Sequence, residues 1–149
     1  MRIRDAELQD AGQLDALLSK LIQEEAKYDS NLMPDCVIKD NYGSRIGLEG
    51  HKLLLIEADG EIAGYVYGFL YQIPGMYKAP IAILDALYVE RKHRRKGYAT
   101  RLIEAFRAFA REQGACRVEL KAVSENQPAV ALYQKQSFVE TKKYMKLEL

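Results

Sequence analysis

The sequence predicts an α+β fold, with helices packed against a mostly antiparallel β-sheet. Hydrophobic residues repeat at helical spacing in some segments and alternate with polar residues in others, which indicates both kinds of element. Two strand-like runs are joined by an Asp-Gly turn, a pattern typical of an antiparallel hairpin. With 149 residues, 48% of them apolar, the chain can bury one core, so we expect a single domain over residues 1–149.

The composition argues against several classes of protein. A formal net charge of +1 provides no overall field to attract nucleic acid or an anionic membrane surface. No segment approaches the roughly 20 apolar residues that cross a bilayer, and no apolar leader follows Met1. Cys36 and Cys116 match neither a metal-ligand nor a disulfide spacing, and we expect both to be buried. The expectation is a reduced, cytoplasmic protein without a metal, a nucleic-acid partner or a membrane.

The N-terminal third predicts a strand, a helix and an irregular segment. Residues 1–6 read as a first strand, and Asp10 is placed to cap the helix that follows. Residues 24–50 are interrupted by glycine and proline, and we expect a loop with a short or broken helix. The helix is amphipathic, with apolar residues on one face at Leu14, Leu17, Leu18, Leu21 and Ile22.

A hairpin and a buried strand are predicted next. The runs 52–57 and 61–71 are rich in β-forming residues, and residues 58–60 between them end in a glycine that tolerates the positive φ of a tight turn. Residues 80–89 are almost continuously apolar, as expected for a central strand covered on both faces.

The last third predicts two helices and two strands. Gly114 is placed to end the first of these helices, and residues 116–122 alternate as a half-buried strand. Asn126 can cap a short helix that runs to Gln136, and residues 144–149 alternate as a closing strand. The first helix carries its apolar stripe at Ala99, Leu102, Ile103, Phe106, Phe109 and Ala110.

The residues best suited to bind a ligand lie in the basic loop that connects the buried strand, residues 80–89, to the helix that begins near Gly97. The first amides of a helix lack intrahelical partners and attract anions, and Gly97 would let a ligand approach the backbone closely. A pyrophosphate would use both these amides and the cations. A solvated loop or a nucleic-acid patch is the alternative, although no aromatic platform or second basic cluster supports nucleic acid. The cations before the helix are Arg91, Lys92, Arg94, Arg95 and Lys96.

The segment Arg94-Arg95-Lys96-Gly97-Tyr98-Ala99 resembles the R/Q-x-x-G-x-G/A signature of the GNAT superfamily of acyl-CoA-dependent N-acyltransferases. The resemblance covers residues 52–149 well and is only suggestive before them. It implies a three-layer fold with a mostly antiparallel central sheet of six to seven strands and about four flanking helices. Further residues match the family's motifs in order and spacing, namely Leu87-Tyr88-Val89, Asn126, Ala131-Leu132-Tyr133 and Phe138.

The resemblance implies acetyl-CoA as the acyl donor, with no metal. Backbone groups of Leu87, Tyr88 and Val89 would hold the pantetheine arm like an added strand, and one N–H would polarise the thioester carbonyl. The side chains of Arg94, Arg95 and Lys96 would reach the 3′-phosphate or solvent. Asn126 is an N-cap by position and, by resemblance, a contact to pantetheine or to a water. The pyrophosphate would be wrapped by the amides of Arg94 or Arg95 through Thr100, that is Arg94, Arg95, Lys96, Gly97, Tyr98, Ala99 and Thr100.

Two residues are candidates for proton transfer. By resemblance Tyr133 is the general acid that protonates the departing thiolate, although its helical face also suits a core tyrosine. Asp85 is the only charge in residues 81–89, and a buried carboxylate there would suit a general base. Pairing with a strand-end cation or exposure to solvent is equally consistent, and Glu90 is a weaker alternative. Ser137 stands where the family usually has glycine.

The implied function is N-acetyltransfer from acetyl-CoA to a primary amine, by direct attack in a ternary complex. An acidic and aromatic rim would favour a small cationic amine as acceptor, unless these are ordinary surface residues. The alternatives are a protein or peptide N-acetyltransferase, or a non-catalytic acyl-CoA-binding regulatory module that would not need Tyr133 and Asp85. Analogy with the family leaves a homodimer open. The rim consists of Glu24, Glu25, Tyr28, Asp29, Asp35, Tyr71, Tyr77 and Lys78.

Overall fold

Strands and helices alternate along the chain in a computed structural model that describes all residues from 1 to 149. Two 3₁₀ turns, Leu8–Asp10 and Arg91–His93, lie ahead of the first and second helices. The elements in chain order are β1 (Arg2–Asp5), α1 (Ala11–Glu25), β2 (His51–Ala58), β3 (Glu61–Tyr71), β4 (Ile81–Val89), α2 (Tyr98–Glu112), β5 (Val118–Glu119) and α3 (Gln127–Lys135).

The sheet follows chain order, from β1 at one edge to β5 at the other. The first four strands are antiparallel, and β5 runs parallel to β4. The hairpin predicted at Asp59 and Gly60 joins β2 to β3, with both residues at positive φ. The α+β class is therefore confirmed. The expected six to seven strands and about four helices are wrong, because the fold has five strands and three α-helices.

The missing strands were expected near the C terminus. The strand predicted over residues 116–122 is reduced to Val118–Glu119, and the one predicted over residues 144–149 does not form. Residues 139–149 make no backbone hydrogen bond, and Tyr144 is 87% exposed. Alternation predicts an extended segment, but a strand also needs a neighbouring edge to pair with, and β5 is too short to provide one.

The two long helices cover opposite faces of the sheet. Along β2, Leu53 and Leu55 pack beneath α1, whereas Leu54 and Ile56 pack beneath α2, as strand alternation requires. Each such side chain contributes on the order of 1.5–3 kcal/mol by its burial. The stripe predicted on α2 is confirmed in its buried members, which are Leu102, Ile103, Phe106, Phe109 and Ala110.

Side chains of α1 hold the long segment that follows this helix. Residues 26–50 contain turns and bends only, so the short or broken helix expected there is wrong. The Asp15 carboxylate is buried and accepts hydrogen bonds from the backbone N–H groups of Asn41 and Tyr42, at 3.1 and 3.0 Å. The segment therefore lies against the sheet without regular structure of its own.

Three side chains occupy environments that differ from those predicted. Asp10 does not cap α1 with its carboxylate, which instead accepts hydrogen bonds from the Arg4 guanidinium at 2.8 and 3.1 Å and from the Glu7 N–H at 2.7 Å. Cys36 is only half-buried and Cys116 is exposed, so the expectation that both are buried is wrong.

From the composition we expected neither a membrane-spanning segment nor a metal site. None of the helices combines the length and the apolar content that a membrane span requires. No group of three or more His, Cys, Asp or Glu side chains is arranged to hold a metal ion.

Helices α2 and α3 both end in a Schellman motif. After α2, the N–H of Ala115 donates to the Ala110 carbonyl, and Gly114 occupies the left-handed position with φ +76°, as predicted. After α3, the N–H of Phe138 donates to the Tyr133 carbonyl, and Ser137 takes the same position with φ +73°. A side chain at a left-handed position costs about 1–2 kcal/mol, which explains why glycine is usual there.

We therefore expect Ser137→Gly to stabilise the protein. Relief of the left-handed strain exceeds the extra backbone entropy of glycine, and the net gain in the free energy of unfolding should reach up to about 1 kcal/mol. Urea unfolding measures the change. Ser137→Ala is the matched control, because it keeps the β-carbon and the strain. An equal gain from alanine would contradict the explanation.

Candidate active site

Strand β4 carries a β-bulge at Asp85. Across the β3–β4 pair, Tyr67 lies opposite Ala86 and Gly68 lies opposite Leu84, which leaves Asp85 as an extra residue. Before the bulge Leu84 packs beneath α2, whereas after it Ala86 packs beneath α1. The bulge therefore exchanges the faces to which the strand directs its side chains.

The bulge places Asp85 at the surface on the α1 face. Its side chain is exposed, so the burial on which its predicted role depended is absent, and the solvent-facing alternative is observed. Tyr67 lies close enough to feel its charge. Burial raises the pKa of Tyr67, Arg45 opposes that rise, and the negative charge of Asp85 adds to it. Asp85 is thus an accessible carboxylate beside the tyrosines of this face.

Beyond the bulge, β4 has an open backbone edge. Strand β5 pairs only with Ala82 and Ile83, so residues 84–89 have no strand partner on that side. The N–H of Glu90 donates to Ala63 of β3 at 2.8 Å, and alternation then directs the backbone groups of Leu87 and Val89 toward the open side.

Tyr88 has the opposite orientation. Its carbonyl faces β3 so closely that a β-carbon at Gly64 would lie 2.6 Å from it, and its side chain is buried beneath α1. Of the three residues expected to offer backbone groups to pantetheine, Leu87 and Val89 therefore have the required orientation and Tyr88 does not.

The loop before α2 presents a run of free amides. The first helical hydrogen bond runs from Arg101 to Gly97, and the N–H groups of residues 95–100 have no acceptor within the chain. Arg95 and Gly97 both have left-handed backbone conformations, with φ +63° and +80°. Such alternation curls successive N–H groups toward one side, which is the geometry of an anion-binding nest.

Most of the loop cations are already paired within the protein. Arg91 and Arg94 bind the carboxylate of Glu24 on α1, at 3.5 and 2.9 Å, and Lys92 binds Glu61 at 2.6 Å. The two that follow, Arg95 and Lys96, have no carboxylate partner, and both are exposed. The sequence showed five cations but not their partners, which lie far away in the chain.

His93 is the one residue of this loop that the sequence analysis overlooked. It is only 2% exposed, and its Nε2 lies 2.7 Å from Oε1 of Glu61 at the start of β3. Its Nδ1 has no hydrogen-bond partner and lies 3.9 Å from Oδ2 of Asp59. His93 therefore ties the loop to the β2–β3 hairpin, a contact that no local pattern could have signalled.

Tyr133 packs against the core, as its helical face suggested, and its role as a general acid stays a prediction. It is half-buried against the core below α2, and its ring meets that of Phe138 edge-on at 5.8 Å. Burial and, to a smaller extent, the negative charge of Glu25 together raise the pKa of Tyr133 to about 12. The phenol is thus protonated at neutral pH, lies near the end of α1 and makes no hydrogen bond within the chain.

Asn126 is confirmed as a helix cap. Its side-chain oxygen accepts a hydrogen bond from the N–H of Ala129 at 3.3 Å, in the first turn of α3. A contact with a cofactor stays a prediction for this residue.

The two glutamates at the end of α1 face different parts of the site. Glu24, expected on an acceptor rim, instead binds the basic loop. Glu25 is half-buried, and its pKa is raised by burial and then by the nearby charges of Asp29 and Asp85. Carboxylates therefore gather beside Tyr133, on the α1 face of the open strand.

This geometry can be compared with known proteins. Residues 16–138 match the acetyltransferase (GNAT) family. The chain is similar to an aminoglycoside N(6')-acetyltransferase type 1 of Acinetobacter genomosp. 13, with 31% identity over 71 residues, which are 48% of this chain and 49% of that protein. The chain thus spans about half the length of this curated relative.

Two solved structures share the fold over nearly the whole chain. The BH1408 protein from Bacillus halodurans has a TM-score of 0.88 at 20% identity, covering 100% of this chain and 99% of that one. The aminoglycoside N-acetyltransferase AAC(6')-Iy, in complex with CoA, has a TM-score of 0.75 at 17% identity, covering 99% and 98%. The family match extends over most of the chain and includes the strand, loop and helix described above, and the chain belongs to the GNAT family of acetyltransferases.

Proposed function

We propose that this protein transfers an acetyl group from acetyl-CoA to a primary amine, by direct attack within a ternary complex. The observation that carries the proposal is the run of six free amides at residues 95–100, next to the open edge of β4. A pyrophosphate fits the first feature and an extended pantetheine arm fits the second. The complex of a structural relative with CoA supports the choice of cofactor.

The chain's own groups then have distinct parts in binding the cofactor. The amides of residues 95–100 hold the two central phosphates, and Arg95 and Lys96 are available to the 3′-phosphate because neither is paired. The backbone groups of Leu87 and the N–H of Val89 bind the pantetheine arm along the open edge. One of their N–H groups also stabilises the negative charge that develops on the thioester oxygen during attack.

Two protons must move during the reaction. The amine nitrogen forms a bond to the acetyl carbon as the carbon–sulfur bond breaks, and Tyr133 donates its proton to the departing thiolate. The raised pKa of about 12 ensures that this proton is present at neutral pH. The exposed carboxylate of Asp85 takes the proton of the amine through a water.

We further propose a small cationic amine as the acceptor. The pKa of Glu25 is raised mainly by burial and then by the charges of Asp29 and Asp85, which therefore lie nearby, and an ammonium group would relieve the repulsion among the three carboxylates. The similarity to an aminoglycoside acetyltransferase, which acts on such an amine, supports this class.

A single assay tests the function. Heating the protein with and without acetyl-CoA measures binding, and release of free thiol across a panel of cationic amines, including aminoglycosides and polyamines, measures transfer. We expect stabilisation together with thiol release for at least one amine. Stabilisation without turnover on any amine or peptide N terminus would favour a regulatory acyl-CoA-binding module, and absence of stabilisation would refute the proposal.

Replacing Gly97 should abolish cofactor binding at a modest cost to the fold. Valine at φ +80° costs about 1–2 kcal/mol, and its side chain would cover the amides that the phosphates need. Gly114→Val is the matched control, because that glycine has φ +76° at the other end of the same helix and also faces open space. Calorimetric titration with CoA should detect loss of binding only for Gly97→Val; equal loss in both variants would contradict the assignment of the loop.

Tyr133→Phe should slow turnover by roughly 10²-fold and leave CoA affinity nearly unchanged. The substitution removes only a hydroxyl that has no partner within the chain, so the thermal midpoint should change little. Steady-state kinetics with the best amine from the panel provides the measurement. Tyr144→Phe, in the exposed C-terminal segment, controls for loss of a phenol elsewhere. Full activity in Tyr133→Phe would exclude this residue from proton transfer.

A further inference from the structure

Arg94, the first residue of the signature, is committed to contacts within the protein. Its Nε donates to the Val89 carbonyl at 2.8 Å, and its Nη2 donates to both carboxylate oxygens of Glu24, at 2.9 and 3.1 Å. The guanidinium lies over the ring of Tyr88, 5.2 Å from its centre. Its backbone N–H donates to Arg91 at 3.2 Å, so neither end of the residue is directed to a phosphate.

These contacts join three parts of the site at one point. Val89 is the last residue of β4, Glu24 lies in the last turn of α1, and the next residue after Arg94 begins the run of free amides. The carbonyl of Val89 lies on the open edge, where it would otherwise have no donor. Arg94 therefore closes the edge at the position where the chain leaves the strand and enters the phosphate loop.

Glu24 is held in its charged form at this point. Although burial opposes ionisation, the hydrogen bonds from Arg94 keep the pKa of Glu24 below its usual value. Nη2 of Arg94 donates to both oxygens of the Glu24 carboxylate, and the two side chains are partly shielded, 40% and 23% exposed. Together with the bond from Nε to the Val89 carbonyl, these charge-assisted hydrogen bonds fix the orientation of the guanidinium. Because its charge is neutralised by Glu24, Arg94 would attract a phosphate less strongly than an unpaired arginine.

We propose that Glu24 and Arg94 are positioning residues, which fix the phosphate loop against β4 and α1 without contacting the cofactor. The inference rests on the proposed function, since it assumes that the loop binds CoA. It assigns to the first position of the signature a role in shaping the amide nest. It also assigns to a glutamate of α1, on the acceptor side of the sheet, a role in cofactor affinity.

The direction in which CoA affinity changes when Glu24 is neutralised tests the inference. Glu24 is a negative charge close to the proposed site of a polyanion, so its neutralisation should tighten CoA binding if Coulomb repulsion were its only effect. If Glu24 acts by positioning Arg94, the same change should weaken binding. The two explanations predict opposite results from one substitution.

The experiment is a double-mutant cycle on CoA affinity, measured by titration calorimetry. We expect Glu24→Gln and Arg94→Gln each to weaken binding by about tenfold, and the double variant to be no weaker than Arg94→Gln. Binding by Glu24→Gln that is as tight as in the wild type, or tighter, would overturn the inference. Fully additive losses would overturn it as well, because they would indicate independent roles.

A comparison of CoA with dephospho-CoA separates positioning from direct contact. If Arg94 bound the 3′-phosphate, Arg94→Gln would lose affinity for CoA but not for dephospho-CoA, and the ratio of the two affinities would fall. The inference predicts that both affinities fall together and that the ratio is unchanged. A fall in the ratio would assign Arg94 as a ligand and overturn its role as a positioning residue.

Two further variants control for charge and for folding. Glu24→Asp keeps the charge but shortens the side chain, so it should still weaken CoA binding, and affinity equal to wild type would overturn the inference. Lys20→Gln breaks another bridge from α1, to Glu90 at 2.6 Å, which does not touch Arg94; its CoA affinity should stay within about twofold of wild type.

Thermal midpoints of all variants confirm that each is folded at the assay temperature. A loss of affinity in Lys20→Gln equal to that in Glu24→Gln would show that any link between α1 and β4 suffices, which would overturn the specific role. Failure of the wild type itself to bind CoA would refute the proposed function, a result distinct from wild-type binding with Glu24→Gln unaffected.

Discussion

The site depends on backbone groups that the fold leaves without partners. An N–H group without an acceptor is costly when buried, so it must face water or a ligand. Here six consecutive amides before and within the first turn of α2 remain free. The edge of β4 beyond residue 84 also has no strand partner, although the Val89 carbonyl accepts a hydrogen bond from Arg94. Three local features keep them free, namely the short β5, the bulge at Asp85 and the left-handed conformations of Arg95 and Gly97.

The bulge also determines how the two halves of the site relate. Because it exchanges the faces of β4, Tyr88 lies beneath α1, while the backbone groups of Leu87 and the N–H of Val89 stay free on the open edge. Tyr88 thereby meets Arg94, and the last turn of α1 meets the phosphate loop. An unbroken strand would direct Tyr88 to the other face, beneath α2, and remove this connection. One extra residue thus brings the proposed acceptor side and the proposed cofactor side into contact.

Features fixed by neighbouring residues were predictable from the sequence, and those fixed by distant contacts were not. The hairpin, the glycine at the start of α2, the end of α2 at Gly114 and the cap at Asn126 all depend on short-range geometry. The exposure of Asp85 depends on a bulge that hydrophobic patterning cannot reveal, since the strand reads as continuously apolar on either side. The closing strand failed for a related reason, because its alternation says nothing about whether a partner edge exists.

The sequence could not predict which cations of the basic loop are free, because their partners lie far away in the chain. Three of its five cations are neutralised by Glu24 and Glu61, which are 31 or more positions away from them in the chain. What remains for an anion is mainly a curved row of amides, together with the dipole of α2 and two free cations. A concave row of amides of this kind suits a compact anion such as a diphosphate. The ion pairs with Glu24 and Glu61 therefore leave a loop whose remaining capacity to bind an anion comes more from the geometry of its backbone than from its net charge.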